Sequence, residues 1–163
     1  MMFLLRQFPA FYIAVNKRDA MVNTATIATI TAIIVYFLMI IGAFVRASGF
    51  GLACPDWPTC HGQIIPEFTI PVISEYTHRV VAAFSSLFVL ITMVLAVKRH
   101  KGSGVAMFAV LSFLLIIGQV VLGMVTVLSE LNPLIGTAHL GLAAAVFGST
   151  VITAVLARKL PIT

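Results

Sequence analysis

Four long apolar stretches, separated by short polar segments, form the main pattern of this sequence. They run over approximately residues 24–45, 75–97, 105–128 and 137–157. Each is close to the roughly 20 apolar residues that a helix needs to cross about 30 Å of hydrocarbon. Runs such as ITAIIVYFLMIIGAFV do not alternate apolar and polar residues, as the strands of a membrane barrel do. The pattern therefore predicts an all-α fold with four membrane-spanning helices.

The composition agrees with an integral membrane protein. Apolar residues make up 61% of the chain and charged residues 9%. Soluble domains contain about 45–50% apolar and about 25% charged residues. A soluble globular protein is therefore excluded, and we predict a multi-pass protein of the cell membrane.

Basic residues are distributed unevenly among the segments that flank the apolar stretches. They precede the first stretch, fill the second connection and follow the fourth stretch: Arg6, Lys17, Arg18, Lys98, Arg99, Lys101, Arg158 and Lys159. The positive-inside rule predicts that these segments are cytoplasmic. Both termini are then cytoplasmic, and the outer loop 46–74 is extracytoplasmic. We attribute the net charge of +5 to this topology and to contact with anionic membrane lipid, and infer no nucleic-acid partner.

The segments outside the spans carry few further signals. Residues 1–23 hold a few bases and the apolar patch FPAFYIAV, without a small-residue cleavage site. They are interpreted as a cytoplasmic interfacial segment rather than a signal peptide, which leaves residues 24–163 as one four-span domain. His100, within KRHKG, is interpreted as a solvated residue of the inner loop.

The chain contains an internal repeat. Shifting it by 61 positions superimposes the 21 residues that begin at His78 on those that begin at His139, with matching His, Thr and Lys. A second shift, of 76 positions, aligns LMIIGAFV with LLIIGQVV. The sequence thus predicts a four-helix bundle of two parallel helical-hairpin repeats, in which the first outer loop is 15 residues longer than the second.

The repeat predicts that His78 and His139 face each other at equal depth. Each lies 20 residues before its matching lysine, or about 30 Å at helical rise, near the outer edge of the hydrocarbon. An imidazole in a span needs a partner. Hydrogen bonds with Thr77, Thr137 or Gln119 are one interpretation, and ligation of a heme iron by two imidazoles is another. Zinc usually requires four nitrogen or sulfur ligands, which these spans do not supply.

The two repeats differ beside the histidines and in the outer loop. Glu75 lies one turn before His78, where it is either a helix-dipole carboxylate or an acid or base beside a heme. Arg79 and Arg46 are candidates for binding heme propionates, or they extend to the interface. Cys54 and Cys60 lie on the predicted oxidising side, which permits a disulfide.

Three segments resemble the heme A synthase family from the end of the first span onward: RASGFGLACPDWPTCHGQIIP, EYTHRVVAA and GQVVLGMVTVLSELNPLIGTAHL. The resemblance implies a membrane oxidoreductase of heme A biosynthesis. Such an enzyme oxidises a methyl group of heme O to the formyl group of heme A by successive hydroxylations. It further implies that His78 and His139 are heme-iron ligands, that Glu75 is the essential carboxylate and that Cys54 and Cys60 are the outer cysteine pair.

The resemblance also has consequences for assembly. Typical members of that family have eight spans in two four-helix halves, one holding heme b and the other facing the substrate heme O. Four spans make this chain resemble a half-size member, and a homo-oligomer is the expected way to supply a second site. An enzyme that makes heme O and an electron donor are the further partners implied.

We expect the CPDWPTCHG loop to act as a disulfide-stiffened lid over the heme edge.

Two other functions remain open from the sequence. A bis-histidine b-type membrane cytochrome that passes electrons without modifying heme explains the histidines but not Glu75 or the loop. A thiol–quinone oxidoreductase that uses Cys54 and Cys60 explains the thiols, although five residues separate them rather than the two of a C-x-x-C pair.

Overall fold

The computed structural model describes residues 23–159, which form four helices. These are α1 (Thr24–Ala47), α2 (Ile70–Arg99), α3 (Gly104–Leu128) and α4 (Pro133–Lys159). All four are long and apolar enough to cross a membrane. The predicted all-α fold with four membrane-spanning helices is therefore confirmed. The interfacial segment predicted for residues 1–23 lies, apart from its last residue, outside the described residues.

The helix starts follow local capping signals. At α1 the Asn23 side chain accepts a hydrogen bond of 3.0 Å from the Ala25 backbone N–H, which satisfies one of the free donors of the first turn. Helix α2 begins at Ile70, five residues before the predicted span, with Pro71 in its first turn. A proline is tolerated there because the first turn has no intrahelical partner for its N–H group. The helix therefore continues past the apolar stretch toward the outer loop.

Each helix packs against its neighbours in the chain, and α4 closes the bundle against α1. Helices α2 and α4, which carry the two histidines, thus lie diagonally across the bundle. A buried cluster of mostly small residues fills one end of the interior, and a layer of larger aliphatic residues fills the middle: Ala25, Ala96, Val105, Ala109 and Ala157; then Val35, Val89, Ile116 and Val146. The interior between the histidines and the opposite end of the bundle is therefore closely packed.

The structure supports the repeat of α2 and α4 but corrects the predicted repeat of α1 and α3. A serine caps the C-terminus of both α1 and α3, and these two residues, Ser48 and Ser129, lie 81 positions apart. Three backbone hydrogen bonds around each serine also match at 81: Ser48 to Phe44, Gly49 to Arg46 and Phe50 to Val45; then Ser129 to Val125, Glu130 to Val127 and Leu131 to Thr126. The five buried residues of α3 are all counterparts of buried α1 residues at this same offset.

The predicted offset of 76 is therefore wrong, because IIG runs recur by chance in apolar helices whereas burial and helix endings depend on packing. The excess of the first hairpin is 20 residues, the difference between 81 and 61, rather than 15. The hydroxyls of α1 and α3 that contact a neighbouring helix lie at the corrected offset as well, although their partners on α2 and α4 are not counterparts at offset 61. Thr31 bonds Thr92 across α1 and α2 at 2.8 Å, and its counterpart Ser112 bonds Ser149 across α3 and α4 at 2.8 Å.

His100 is not solvated, contrary to the interpretation of KRHKG. Its side chain is 1% exposed, and neither ring nitrogen has a hydrogen-bond partner. Its backbone explains the position, since the His100 N–H bonds Ala96 O at the end of α2 and Ser103 returns two hydrogen bonds to His100 O. This tight turn places the ring inside the bundle, whereas the neighbouring Lys98 and Lys101 are exposed.

Candidate functional site

His78 and His139 project from the diagonal helices α2 and α4, at positions that are equivalent in the repeat. In both rings the Nδ1 atom is buried and has no hydrogen-bond partner. A buried polar atom without a partner is costly in a bilayer. The two imidazoles therefore form a pair whose hydrogen-bonding capacity is only partly used by residues 23–159.

Each imidazole packs against a glycine of the preceding helix. A Cβ atom added to Gly42 would lie 2.8 Å from His78 Cε1, and one added to Gly123 would lie 3.2 Å from His139 Cε1. Gly42 and Gly123 are themselves 81 positions apart, so the contact belongs to the repeat. Any side chain at these positions would push the ring, and the two glycines therefore fix where the imidazoles lie.

Gln119 distinguishes the second histidine from the first. Its Nε2 atom lies 3.3 Å from His139 Nε2, which confirms one of the hydrogen-bond partners predicted for the histidines. The counterpart of Gln119 in α1 is Leu38, which offers His78 no such partner. The surroundings of the two histidines are therefore chemically different although their backbones repeat.

Glu75 and Arg79 flank His78 on α2 and bind the outer loop. Glu75 is 3% exposed; its Oε2 accepts a hydrogen bond of 2.8 Å from the Cys54 N–H, and its Oε1 lies 2.6 Å from Arg79 Nη2. The Arg79 guanidinium also donates to three backbone carbonyls of the loop, those of Cys54, Asp56 and Thr59, each at 2.6 Å. This use of Arg79 was not anticipated from the sequence, because the acceptors are backbone oxygens that only the fold brings together.

The predicted disulfide is present between Cys54 and Cys60. Both residues are buried, at 0% and 1% exposure, and form a small cluster with Val72 of α2. Cys60 and Gln63 pair through two backbone hydrogen bonds around His61 and Gly62, which both have positive φ as in a type I′ turn. The loop is thus closed by the disulfide and, next to it, by a pair of backbone hydrogen bonds.

Asp56 organises the interior of this loop. Its carboxylate accepts hydrogen bonds from the Thr59 hydroxyl, from the His61 N–H at 2.6 Å and from the Gly62 N–H at 2.9 Å. The Thr59 hydroxyl, followed by the Gly62 N–H, holds the pKa of Asp56 below its usual range because these donors stabilise the ionised form. His61 also contacts the loop through its ring, with Nε2 at 2.8 Å from Ala53 O.

Arg46 lies on the His139 side of the histidine pair, at the end of α1. Its Nη2 donates to Leu131 O at 3.3 Å, and its guanidinium covers Gly136, where an added Cβ atom would be 3.3 Å away. Gly136 is the repeat counterpart of Glu75, as Leu140 is of Arg79. On the His78 side, Glu75 and Arg79 are therefore bonded to the loop. On the His139 side, the exposed Arg46 lies over Gly136.

This set of donors fits a heme better than a multi-ligand metal ion. Within residues 23–159 no three His, Cys, Asp or Glu side chains converge as ligands for a metal ion. Two imidazoles are sufficient for the axial positions of a heme iron. Their unpartnered Nδ1 atoms and the glycine surfaces behind the rings are consistent with a ligand that orients both rings.

Comparisons with known proteins agree with the resemblance found in the sequence. The chain matches the COX15-CtaA family, described as cytochrome oxidase assembly protein, over residues 25–70 and 67–162. It is 39% identical over 105 residues to a heme A synthase of Alkalihalophilus pseudofirmus, an alignment that covers 64% of this chain and 35% of that protein. It is 34% identical over 134 residues to a heme A synthase of Shouchella clausii, covering 80% and 44% respectively.

A heme A synthase of Bacillus pumilus shows 30% identity over 133 residues, covering 80% of this chain and 43% of that protein. The chain thus spans about two fifths of the length of the curated relatives it matches. Together with the four apolar helices, these matches identify a multi-pass membrane protein.

Proposed function

Because the chain belongs to the COX15-CtaA family of cytochrome oxidase assembly proteins, we propose that it acts in heme A biosynthesis. In this proposal it is a membrane oxidoreductase that converts a methyl group of heme O to the formyl group of heme A. The relatives named heme A synthase support the reaction, and the histidine pair supports the site.

One observation carries the proposal. His78 and His139 occupy equivalent positions on diagonal helices, each with a buried, unpartnered Nδ1 and each against a glycine. We assign both histidines as the residues that would hold a heme iron, with heme b as cofactor and heme O as substrate. The bound heme would supply the redox chemistry, while the protein orients the rings and limits access of water.

Glu75 is assigned as the catalytic carboxylate. It lies one turn from His78, and its bonds to Arg79 and the Cys54 N–H fix its orientation before any substrate binds. A carboxylate fixed in this way stabilises positive charge that develops on an oxidised methyl carbon and can accept the accompanying proton. The loop supports this role because it holds the carboxylate in place.

The two arginines receive different roles. Both terminal nitrogens of Arg79 donate to loop carbonyls or to Glu75, so we assign Arg79 to positioning the loop and the carboxylate. Arg46 is exposed and makes one hydrogen bond of 3.3 Å. It therefore has donors left for a heme propionate, and we assign the propionate contact to Arg46.

A single histidine pair serves one heme, whereas the proposed reaction involves a cofactor heme and a substrate heme. We propose that a second four-helix unit, supplied by another copy of the chain, provides the second site. An electron donor and an enzyme that makes heme O complete the proposed partners. The CPDWPTCHG loop is proposed to lie on the extracytoplasmic face of the cell membrane. Cross-linking in the membrane, followed by mass determination, tests the assembly, and a strictly monomeric protein that forms heme A would contradict it.

The function is tested by expressing the full chain in cells that make heme O and analysing the extracted hemes by mass spectrometry. Heme A or its alcohol precursor is expected with the wild type and is expected to be absent with His78→Ala or His139→Ala. Protein that retains heme but yields only heme O would refute the proposed reaction.

A bis-histidine cytochrome is the second candidate, favoured by the fact that both Glu75 oxygens are already engaged within the protein, one by the Cys54 N–H of the loop and the other by Arg79. Glu75→Gln separates the two functions, since the amide preserves the shape of the side chain. Loss of heme oxidation with retained heme supports the enzyme, and unchanged electron transfer without any heme A supports the cytochrome. The thiol–quinone alternative is not favoured, because the buried disulfide is shielded from an attacking thiolate.

A further inference from the structure

The two ends of the bundle differ in charge, and this difference is independent of the histidine site. Within residues 23–159 all acidic side chains lie at the end that carries the outer loop: Asp56, Glu67, Glu75 and Glu130. The opposite end, here called the basic end, carries Lys98, Arg99, Lys101, Arg158 and Lys159. Anionic headgroups are therefore attracted to the basic end.

A groove of about 300 Å³ opens at the basic end between α1 and α4. The buried Ala32 and Ala154 are part of its lining, together with the side chain of Val151. Tyr36 and Phe147, whose ring centroids are 5.8 Å apart, also line it, and so does Arg158. The lining is therefore mostly apolar, apart from the Tyr36 hydroxyl and the place where Thr29 and Arg158 meet.

Arg158 is held beside the groove by a hydrogen bond, since its Nη2 donates to the Thr29 hydroxyl at 3.1 Å. The bond leaves other guanidinium donors for a ligand. A guanidinium is well suited to phosphate because its planar donors match two phosphate oxygens. The groove thus combines an anchored phosphate-binding cation with an apolar channel.

The length of the groove matches one leaflet of a bilayer. Tyr36 follows Thr29 by seven positions, a rise of about 10 Å, and Arg158 follows Phe147 by eleven positions, a rise of about 16 Å. Half of the hydrocarbon thickness is about 15 Å. A chain that starts with its headgroup at Arg158 would therefore end near the middle of the membrane, at the Tyr36 and Phe147 rings.

We propose that this groove binds an anionic glycerophospholipid, whose phosphate contacts Arg158 and one of whose acyl chains lies between α1 and α4. The lipid comes from the leaflet at the basic end. A neutral lipid would fill the apolar channel but would gain nothing from the cation, so the anionic headgroup is what determines the preference.

The test uses the full chain, purified and delipidated in detergent, with native mass spectrometry as readout. Phosphatidylglycerol and phosphatidylcholine with identical acyl chains are added separately at equal concentration. The wild type is expected to favour phosphatidylglycerol by about fivefold, the effect of one basic side chain near an anionic lipid surface. Arg158→Gln is expected to abolish this preference, and Val151→Phe to reduce binding of both lipids by filling the groove.

Lys98→Gln is the matched control, because Lys98 is an exposed cation of the basic end that does not line the groove. It is expected to keep the preference. Equal losses in Arg158→Gln and Lys98→Gln would indicate diffuse attraction and would overturn the proposal. It would also be overturned if inorganic phosphate competed as well as phosphatidylglycerol, or if an isoprenoid quinone bound more tightly.

Discussion

The Glu75 carboxylate and the Arg79 guanidinium lie 2.6 Å apart and hold opposite sides of the same residue in the outer loop. Glu75 accepts from the Cys54 N–H, and Arg79 donates to the Cys54 carbonyl. His78 lies between them on the same part of α2. The disulfide loop is therefore fastened to the helical turn that carries the proposed heme ligand.

Replacing Arg79 by methionine should destabilise the protein strongly. The change leaves the buried Glu75 carboxylate without its cation and removes the donor from three loop carbonyls. Removing one partner of a buried ion pair costs about 3 kcal/mol or more. The free energy of unfolding, measured by denaturing-detergent titration in mixed micelles, checks the prediction.

Arg46→Met is the control for this measurement, because Arg46 is exposed and makes one hydrogen bond of 3.3 Å. It should cost about 1 kcal/mol or less. Similar losses of stability in the two variants would show that the contacts of Arg79 with the loop contribute little.

Gly42→Ala should weaken heme binding more than Gly123→Ala does. The added Cβ atom would be 2.8 Å from His78 Cε1 in the first variant and 3.2 Å from His139 Cε1 in the second. Overpacking costs about 1–3 kcal/mol, so Gly42→Ala should bind heme about tenfold more weakly than the wild type does. Heme per chain, measured by absorbance at fixed protein concentration, gives the result without relying on enzymatic activity.

Gly148→Ala serves as the comparison, because nothing lies within 4 Å of the Cβ atom added at this position of α4. A gain in helix propensity of about 1 kcal/mol is common to all three variants. If Gly42→Ala and Gly148→Ala retained heme equally, the glycine surface would not position the imidazole.

The outer loop should keep its structure at acidic pH. The Thr59 hydroxyl and the Gly62 N–H hold the pKa of Asp56 below the usual value of about 3.9. A lowered pKa contributes stability above the unfolded value, and this stability is lost as the pH falls through the folded value. The loop should therefore change only at a pH below the usual carboxyl range.

Trp57 is a convenient probe of this change, since it is the chain's single tryptophan and is 40% exposed within the loop. Its fluorescence should be constant from neutral pH down to about pH 4, the usual carboxyl range. Asp56→Asn should alter the emission at neutral pH and remove the acid transition. A wild-type midpoint at or above the usual carboxyl range would refute the role of the Asp56 hydrogen bonds.

Opening the disulfide should impair heme oxidation more than heme retention. Replacing Cys54 and Cys60 by serine lowers the stability of the loop by about 2 kcal/mol, because it restores the freedom of a small ring. Glu75 then loses a well-placed Cys54 N–H, whereas the histidines keep their glycine contacts. Heme content and heme A yield are measured on the same preparations, and equal loss of both would indicate a staple that stabilises the whole bundle.

Much of the fold was predictable because a bilayer requires long apolar helices. The ends of the helices were less predictable. Helix α2 starts at Ile70 rather than Glu75 because Pro71 is compatible with a first turn, and apolar content does not reveal this local effect. The equivalence of the histidines followed from matching polar residues at offset 61. The offset of α1 and α3 did not follow, because it depends on burial and helix endings that similar apolar segments conceal.

Some features of the site could be predicted from the sequence, and others could not. Glu75 and the cysteine pair were singled out because polar residues are rare near a membrane, and the structure brings them together. The Arg79 contacts could not be predicted, since their acceptors are backbone carbonyls. The burial of His100 could not be predicted either, because three neighbouring basic residues suggested solvent and the turn that buries the ring is set by Ser103.

The shared ending of α1 and α3 makes the outer loop a separable insertion. Three equivalent hydrogen bonds close both helices before the two hairpins diverge, so the longer connection starts from a junction that also supports a short one. The bundle can therefore be treated as a scaffold and the loop as an accessory module. A loop-free version of this scaffold would offer protein engineers a compact, two-fold framework for placing paired imidazoles inside a membrane.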